Sequence, residues 1–137
     1  MFTVPSPSVA PALPLVYSCS GCSSAAQLAN HVAVRLDLEA IAEMSCIAGL
    51  GGDVPSLVRK AEDAVAAGRA LLAIDGCVLA CVRNTLARHG LVPSHHVELW
   101  RLGVRKRQHE DFSPAEAAEA LAHCRSIAGC PGALATR

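Results

Sequence analysis

The residues best able to do chemistry in this sequence are its cysteines. Seven occur among 137 residues, and five of them each follow a short apolar run: Cys19, Cys22, Cys46, Cys77 and Cys81. Cys19 and Cys22 form a C-x-x-C pair, which lets two sulfurs reach one ion from a tight loop. Cys77 and Cys81 are four residues apart, so they share one face of a helix that begins there. Thiolates at these spacings predict a metal site for zinc, with an iron–sulfur cluster as the alternative that takes the same ligands.

Four short apolar segments predict the strands that bring these cysteines together. We expect strands at residues 13–17, 42–48, 70–74 and 97–102, and helices at residues 23–40, 55–67, 77–89 and 113–126. Strict alternation of strands and helices predicts a parallel sheet with helices on both faces, a three-layer α/β sandwich. Right-handed crossovers are satisfied most simply by the strand order 2-1-3-4.

In that strand order the connections between strands change the direction in which they cross the sheet, and this change falls between the first and third strands. Ligands of such sheets bind in the crevice at this reversal, outside the carboxyl ends of the strands. Cys19 and Cys22 follow the first strand, Cys46 the second, and Cys77 and Cys81 the third. We therefore expect all five thiols at one edge of the sheet. Helix N-termini at that edge would favour the thiolate form that a metal requires.

Local signals define the ends of two of the helices. Ser113 and Glu116 form a capping box, with proline at the first helical position between them. Asp53 is a candidate N-cap for the helix that starts near Pro55, and Gly68 is its expected stop.

Composition narrows the class of protein and of partner. Twelve basic and twelve acidic residues give a net charge of zero, so the chain has no excess of positive charge with which to bind nucleic acid or an anionic membrane. No apolar run is long enough to span a bilayer, and residues 1–14 carry four prolines and no Lys or Arg, unlike a secretory signal. We expect a flexible N-terminal tail at 1–14, a single domain at 15–137, and a cytoplasmic protein with reduced thiols.

Several other reactive residues have structural explanations. Cys124 and Cys130 lie on or after the last helix, with no strand end to place them, and we interpret them as small buried hydrophobes dispensable for metal. Asp75 is expected to shape the turn after the third strand. The six histidines are scattered and are expected at the surface or at caps, and the basic residues from Arg101 to Arg107 as a solvated strand end.

Three segments of the chain resemble a known family. They read YSCSGCSSAAQLANHVA, AEMSCIAGLGG and AIDGCVLACVRNTLARHG, and the resemblance runs from about residue 15 to residue 112. The chain resembles the DGC-domain family, named for the motif that is Asp75-Gly76-Cys77 here. The resemblance implies a zinc site on chelating cysteines, usually four, at positions drawn from the five thiols named above. It implies no biochemical activity.

Three classes of function remain open at this point. A non-catalytic metal-binding protein is favoured, because four thiolates closing a tetrahedron leave no position for substrate and no general base is evident beside the cysteines. A thiol oxidoreductase would use the C-x-x-C pair, although the strand pattern is unlike a thioredoxin fold. An iron–sulfur protein would use the same thiols. Cys77 and Arg83 also have the C-x5-R spacing of phosphatases, but the residues between them are too bulky and apolar for a phosphate loop.

Overall fold

Four parallel strands form one sheet in the order β2-β1-β3-β4, as predicted. They are seen in a computed structural model that describes residues 12–129. The strands are β1 at Leu15–Ser18, β2 at Glu43–Met44, β3 at Leu71–Asp75 and β4 at His95–Glu98. Every residue of β1 and β3 is buried, which is expected for central strands covered on both faces.

Within residues 12–129, five α-helices cover the sheet. They are α1 at Ser24–Leu38, α2 at Ile47–Gly51, α3 at Pro55–Ala66, α4 at Cys81–Arg88 and α5 at Pro114–Ala128. The crossover through α1 runs from β1 to β2, opposite in direction to the crossovers through α3 and α4. Because all these connections are right-handed, α1 lies on one face of the sheet and α3 and α4 lie on the other. α5 packs against α1, and α2 packs against α3 and α4. The three-layer prediction is confirmed.

Two helix starts follow the expected local chemistry. Ser23 caps α1 by accepting a hydrogen bond from the Ala26 N–H at 3.1 Å. Ser113 and Glu116 form the predicted capping box at the start of α5. In each case a side-chain oxygen satisfies one of the N–H groups that a helix start leaves unpaired.

The segment that contains the edge strand β2 differs from the prediction. β2 has only two residues instead of seven, and the residues after it form the short helix α2, with Cys46 at its N-cap position. The N-cap of α3 is Val54 and not Asp53 as predicted. Asp53 has a φ of +57°, and its carboxylate pairs with Arg88 at 2.6 Å. Asp53 is therefore engaged in a tertiary contact that no local pattern reveals.

The last strand also lies earlier than predicted. Strand β4 covers His95–Glu98, and Leu99–Leu102 is a 3-10 helix that ends at Gly103, whose φ is +91°. The strand begins early because its hydrogen bonding with β3 already starts at Ser94, whose N–H donates to the Leu71 carbonyl at 2.8 Å. The predicted strand at 97–102 is thus right in its first two residues and wrong in the rest.

Cys130 and the first eleven residues of the predicted tail lie outside the described residues. Within residues 12–129, no helix combines the length and the apolar character needed to cross a bilayer.

Candidate metal centre

A hydrogen bond to a cysteine sulfur joins the two loops that carry the predicted cysteine pairs. Cys19 directly follows β1, and its backbone N–H donates to the Ile74 carbonyl of β3 at 3.0 Å. Its Sγ accepts a hydrogen bond from the Gly76 N–H at 3.2 Å. The loop after β1 and the loop after β3 are therefore held side by side at the carboxyl edge of the sheet, as the strand order predicted.

Gly76 can make that bond only because it has no side chain. A Cβ at Gly76 would fall against the Ala25 carbonyl and 3.0 Å from the Ala26 nitrogen, both backbone atoms of the first turn of α1. Atoms of the backbone cannot swing away as the end of a long side chain can. The glycine thus lets the β3–α4 loop press against the start of α1, which brings Cys77 toward Cys19.

The remaining thiols of the two pairs are more accessible than Cys19. Cys22 lies just before the Ser23 cap and is exposed, Cys77 is half-buried, and Cys81 is the exposed first residue of α4. The prediction that a helix starts at Cys77 is wrong, since α4 starts at Cys81 after a loop in which Ala80 has a φ of +50°. The four-residue spacing of Cys77 and Cys81 is therefore bridged by a loop and not by a helical turn.

The segment after the 3-10 helix closes over the same edge. Ser24, the first residue of α1, exchanges backbone and side-chain hydrogen bonds with Arg107 at 2.9 Å each. This contact places the Lys106 ammonium 3.6 Å from the Cys77 sulfur, and the Gln108 Oε1 3.4 Å from that of Cys22. The basic run is thus more than a solvated strand end, because one of its members faces a candidate ligand.

Burial controls the acidity of Cys19, which is 8% exposed. Loss of water is the main reason that the pKa of its thiol is raised to about 11; the charges of Asp75, Cys81 and Cys77 act in the same direction, and the Gly76 N–H lowers it. Those three charges act on Cys19 because they are close to it. Without a cation, Cys19 stays a neutral thiol at pH 7, whereas a coordinated metal ion deprotonates a thiol outright.

Asp75 does more than shape a turn. It is 1% exposed, and its carboxylate accepts the N–H groups of Val82 at 2.8 Å and Arg83 at 3.2 Å, in the first turn of α4. The same carboxylate lies 2.7 Å from the His96 Nε2 of β4. The pair therefore fixes the end of the cysteine loop from two sides. Only the apolar strand before Asp75 hinted at its burial, and nothing local pointed to His96.

Two of the cysteines lie away from these loops. Cys46 is exposed at the N-cap position of α2, where its side chain makes no capping hydrogen bond, and its charge is one of the smaller effects on the Tyr17 phenol, whose pKa is raised mainly by burial. Cys124 is fully buried in α5 and burial raises the pKa of its thiol to about 12. The interpretation of Cys124 as a small buried hydrophobe is confirmed.

The sulfurs do not form a closed cage in the described conformation. Among residues 12–129, no three side chains of His, Cys, Asp or Glu are close enough together to hold a metal ion. Two of the thiols in the paired loops, Cys22 and Cys81, are at the surface, where rotation about χ1 meets little steric resistance. Thiolates suit a soft metal ion. To bring these thiols together around one ion, their side chains must rotate.

Comparison with known proteins adds independent findings. A family model described as the DGC domain matches residues 15–124. The chain is 57% identical over 105 residues to a protein of Pseudomonas aeruginosa strain PAO1 named anaerobic and virulence modulator AnvM, covering 77% of each chain. No solved structure matches.

Proposed function

This chain belongs to the DGC-domain family, and we propose that it binds one metal ion, best suited to Zn²⁺, at the carboxyl edge of its sheet. The ligands are the thiolates of Cys19, Cys22, Cys77 and Cys81. The observation that carries the proposal is the 3.2 Å hydrogen bond from the Gly76 N–H to the Cys19 sulfur, because it joins the two cysteine-bearing loops. Zinc accepts four thiolates in tetrahedral geometry at about 2.3 Å.

Charge explains how the chain would tolerate four thiolates around one dication. Such a site carries a net charge of two minus, which neighbouring cations must partly offset. The Lys106 ammonium is 3.6 Å from the Cys77 sulfur and can supply that compensation. Asp75 and His96 would act as positioning residues, since they hold the end of the loop that carries Cys77.

The proposed role of the metal is structural or regulatory. Four protein ligands leave no open position at which zinc could polarise a substrate or activate water. A dithiol enzyme is less well supported, because the raised pKa of Cys19 makes it a poor nucleophile at neutral pH. The name of the Pseudomonas protein describes a modulator, and a regulatory function for this chain agrees with that. We assign it to the cytoplasm, where thiol ligands stay reduced.

Elemental analysis of protein purified without oxygen tests the proposal. We expect colourless protein with close to one zinc per chain, reduced to near zero in Cys19→Ser. A brown protein containing iron and sulfide would replace zinc with an iron–sulfur cluster on the same thiols. Protein that neither contains nor takes up metal after reduction would refute the proposal.

A further inference from the structure

A second candidate site lies along helix α3, next to the edge strand β2. A cleft of about 510 Å³ extends from Ser56, in the first turn of α3, to Ala67 at its C-cap, and Arg69 also lines it. That volume is in the range of small-molecule sites. None of the four proposed metal ligands lines the cleft, so it is independent of the proposed metal centre.

Two cations that line the cleft share a single carboxylate. The Lys60 Nζ lies 2.6 Å from one oxygen of Glu43, and the Arg69 Nη2 lies 2.5 Å from the other. Two positive charges are therefore held close together and are met by one negative charge. Because Lys60 and Arg69 line the cleft and Glu43 does not, the uncompensated charge is available to a ligand.

Arg69 is held in place and still has hydrogen-bond donors to offer. Its Nε donates to the Leu13 carbonyl at 2.6 Å and its Nη2 donates to Glu43, and the side chain is only 18% exposed. A guanidinium has more N–H groups than these two bonds use. A guanidinium fixed in this way loses little side-chain freedom when it binds an anion, and its planar donors match the oxygens of a carboxylate.

Arg59 is a third cation of the cleft. Among residues 12–129, its side chain takes part in no hydrogen bond or ion pair. Asp63, one helical turn further along α3, is the acidic residue that lines the cleft. The three cations thus stand against two carboxylates, those of Asp63 and Glu43, which leaves one positive charge uncompensated. A ligand with one negative charge would balance it.

The far end of the cleft is apolar. Ala64, which is buried, and Ala67 line this end, and Ala67 lies about 10 Å along the helix axis from Lys60. These small side chains leave room for an apolar chain, and the methylene groups of Arg59 and Lys60 can cover it from the side. An aliphatic chain placed here leaves water, which favours binding.

We propose that the cleft along α3 binds a monocarboxylate with an unbranched aliphatic chain. Its carboxylate contacts Lys60, Arg69 and Arg59, and its chain lies against Ala64 and Ala67. A phosphate monoester carries nearly two negative charges at pH 7 and would exceed the single positive charge that the cleft leaves uncompensated. An uncharged molecule would gain nothing from that charge.

NMR titration of the zinc-supplemented full chain with octanoate, compared with octanamide, tests the cleft. We expect one octanoate per chain, with amide shifts centred on Ala64 and Ala67, bound at least about tenfold more tightly than octanamide, which has the same length and no charge. Acetate has the charge without the chain and should bind at least about tenfold more weakly than octanoate, and so should inorganic phosphate.

Charge variants test the electrostatic part of the site. Arg59→Gln should weaken octanoate binding by about threefold or more, and Asp63→Asn should strengthen it by about twofold, because it removes a repelling charge. Arg105→Gln is the matched control, since Arg105 is also exposed and lies outside the cleft, and it should leave the affinity unchanged.

The comparison of the four ligands uses only the wild type, so it holds even if a variant misfolds. Absence of saturable octanoate binding, equal affinities for octanoate and octanamide, or shifts centred outside α3 would each overturn the proposal. So would equal effects of Arg59→Gln and Arg105→Gln. Phosphate binding as tight as that of octanoate would also overturn it, because the cleft would then be a general anion surface.

Discussion

At the scale of single residues, burial separates the cysteines into groups with different chemistry. Cys19 and Cys124 are buried, and burial raises their pKa values to about 11 and about 12. Cys22 and Cys81 are exposed. Among the cysteines that the structure describes, only Cys19 combines burial with a hydrogen bond from the neighbouring cysteine loop. Cysteine thus serves as a core residue in α5, at Cys124, and as a candidate metal ligand at the sheet edge, at Cys19.

Removing Cys124 together with Cys130 should leave metal binding intact. Cys124 lies inside α5, and burial is the only effect that shifts its pKa, so no other charged group acts on it noticeably. The double change to serine should retain the zinc content of the wild type by elemental analysis. Folding should weaken by about 1–3 kcal/mol, because Cys124→Ser places a polar hydroxyl in a fully buried apolar position. A loss of metal as large as that in Cys19→Ser would contradict this expectation.

Alkaline pH should destabilise the metal-free protein partly through Cys124. Its folded pKa of about 12 exceeds the ordinary value of 9.0, so the folded state keeps a proton that the unfolded state loses. This contribution is fully present below pH 9 and is lost progressively as pH rises toward 12. In Cys124→Ala, the fall in unfolding free energy between pH 8 and about pH 10.5 should be smaller by about 2 kcal/mol. Urea denaturation at both pH values measures it, and parallel profiles for the two proteins would contradict the assigned burial.

At the scale of elements, the loop between β3 and α4 carries the most information about the site. It begins at Asp75, which binds the first turn of α4, and passes through Gly76, which presses on α1. It ends at Ala80 in a left-handed conformation, just before Cys81. The Asp75 carboxylate, the bare Gly76 and the turn at Ala80 thus determine where Cys77 and Cys81 stand.

Changing Asp75 to asparagine should loosen the start of α4. The amide can accept one of the two N–H groups but must direct its own N–H₂ toward another donor or His96, so we expect a loss of about 2 kcal/mol. Asp53→Asn is the matched control, because its exposed carboxylate pairs with Arg88 and lies 3.4 Å from the His89 Nε2, and the change should cost under about 1 kcal/mol. Urea denaturation gives both values, and amide exchange at Val82 and Arg83 should accelerate only in Asp75→Asn. Equal effects of the two changes would remove Asp75 from its positioning role.

Adding a methyl group at Gly76 should separate the cysteine loops. In Gly76→Ala the new Cβ meets the backbone of Ala25, so the loop must move, with an expected loss of about 1–3 kcal/mol and weaker zinc binding. Gly51→Ala is the control, because nothing lies within 4 Å of its Cβ position and alanine favours helices by up to about 1 kcal/mol. Thermal denaturation and zinc titration provide the measurements. Normal stability and metal affinity in Gly76→Ala would show that the close approach is not required.

At the scale of the whole molecule, sheet order was predictable and the loops were not. The order β2-β1-β3-β4 follows from alternating elements and right-handed crossovers, which act on every sequence of this pattern. Helix α2 was missed because its five residues include two glycines and no repeating apolar face. The start of α4 was misplaced because its N–H groups are satisfied by Asp75, well before the helix, and not by a local cap.

The same distinction holds for the candidate site. Its position at the sheet edge was predictable, since the cysteines follow the strand ends. The contacts of Lys106 with Cys77 and of His96 with Asp75 join residues 29 and 21 positions apart. The Lys106 contact depends on how the segment after the 3-10 helix folds back over α1, through the Ser24–Arg107 bonds, and the His96 contact depends on the pairing of β4 with β3. No periodic pattern or short motif encodes such a return, so these partners became visible only in the structure.

A bound metal would connect parts of the chain that are distant in sequence. Cys19 and Cys77 are separated by most of the first half of the domain, yet they stand on loops after the neighbouring strands β1 and β3. A ligand that binds only the folded state stabilises it in proportion to the logarithm of its concentration. Zinc should therefore raise the melting temperature, and its affinity should fall as pH drops, because the thiols must lose protons to bind it.

The most direct test is zinc titration of freshly reduced wild type and Cys77→Ser at about pH 7, with Cys124→Ser as a control for cysteine loss in general. We predict one zinc per wild-type and Cys124→Ser chain, with protons released on binding. In Cys77→Ser, affinity should be lower by more than about a hundredfold, because one of four thiolates is gone. Equal stoichiometry and affinity in wild type and Cys77→Ser would remove Cys77 from the site and contradict the proposed metal centre.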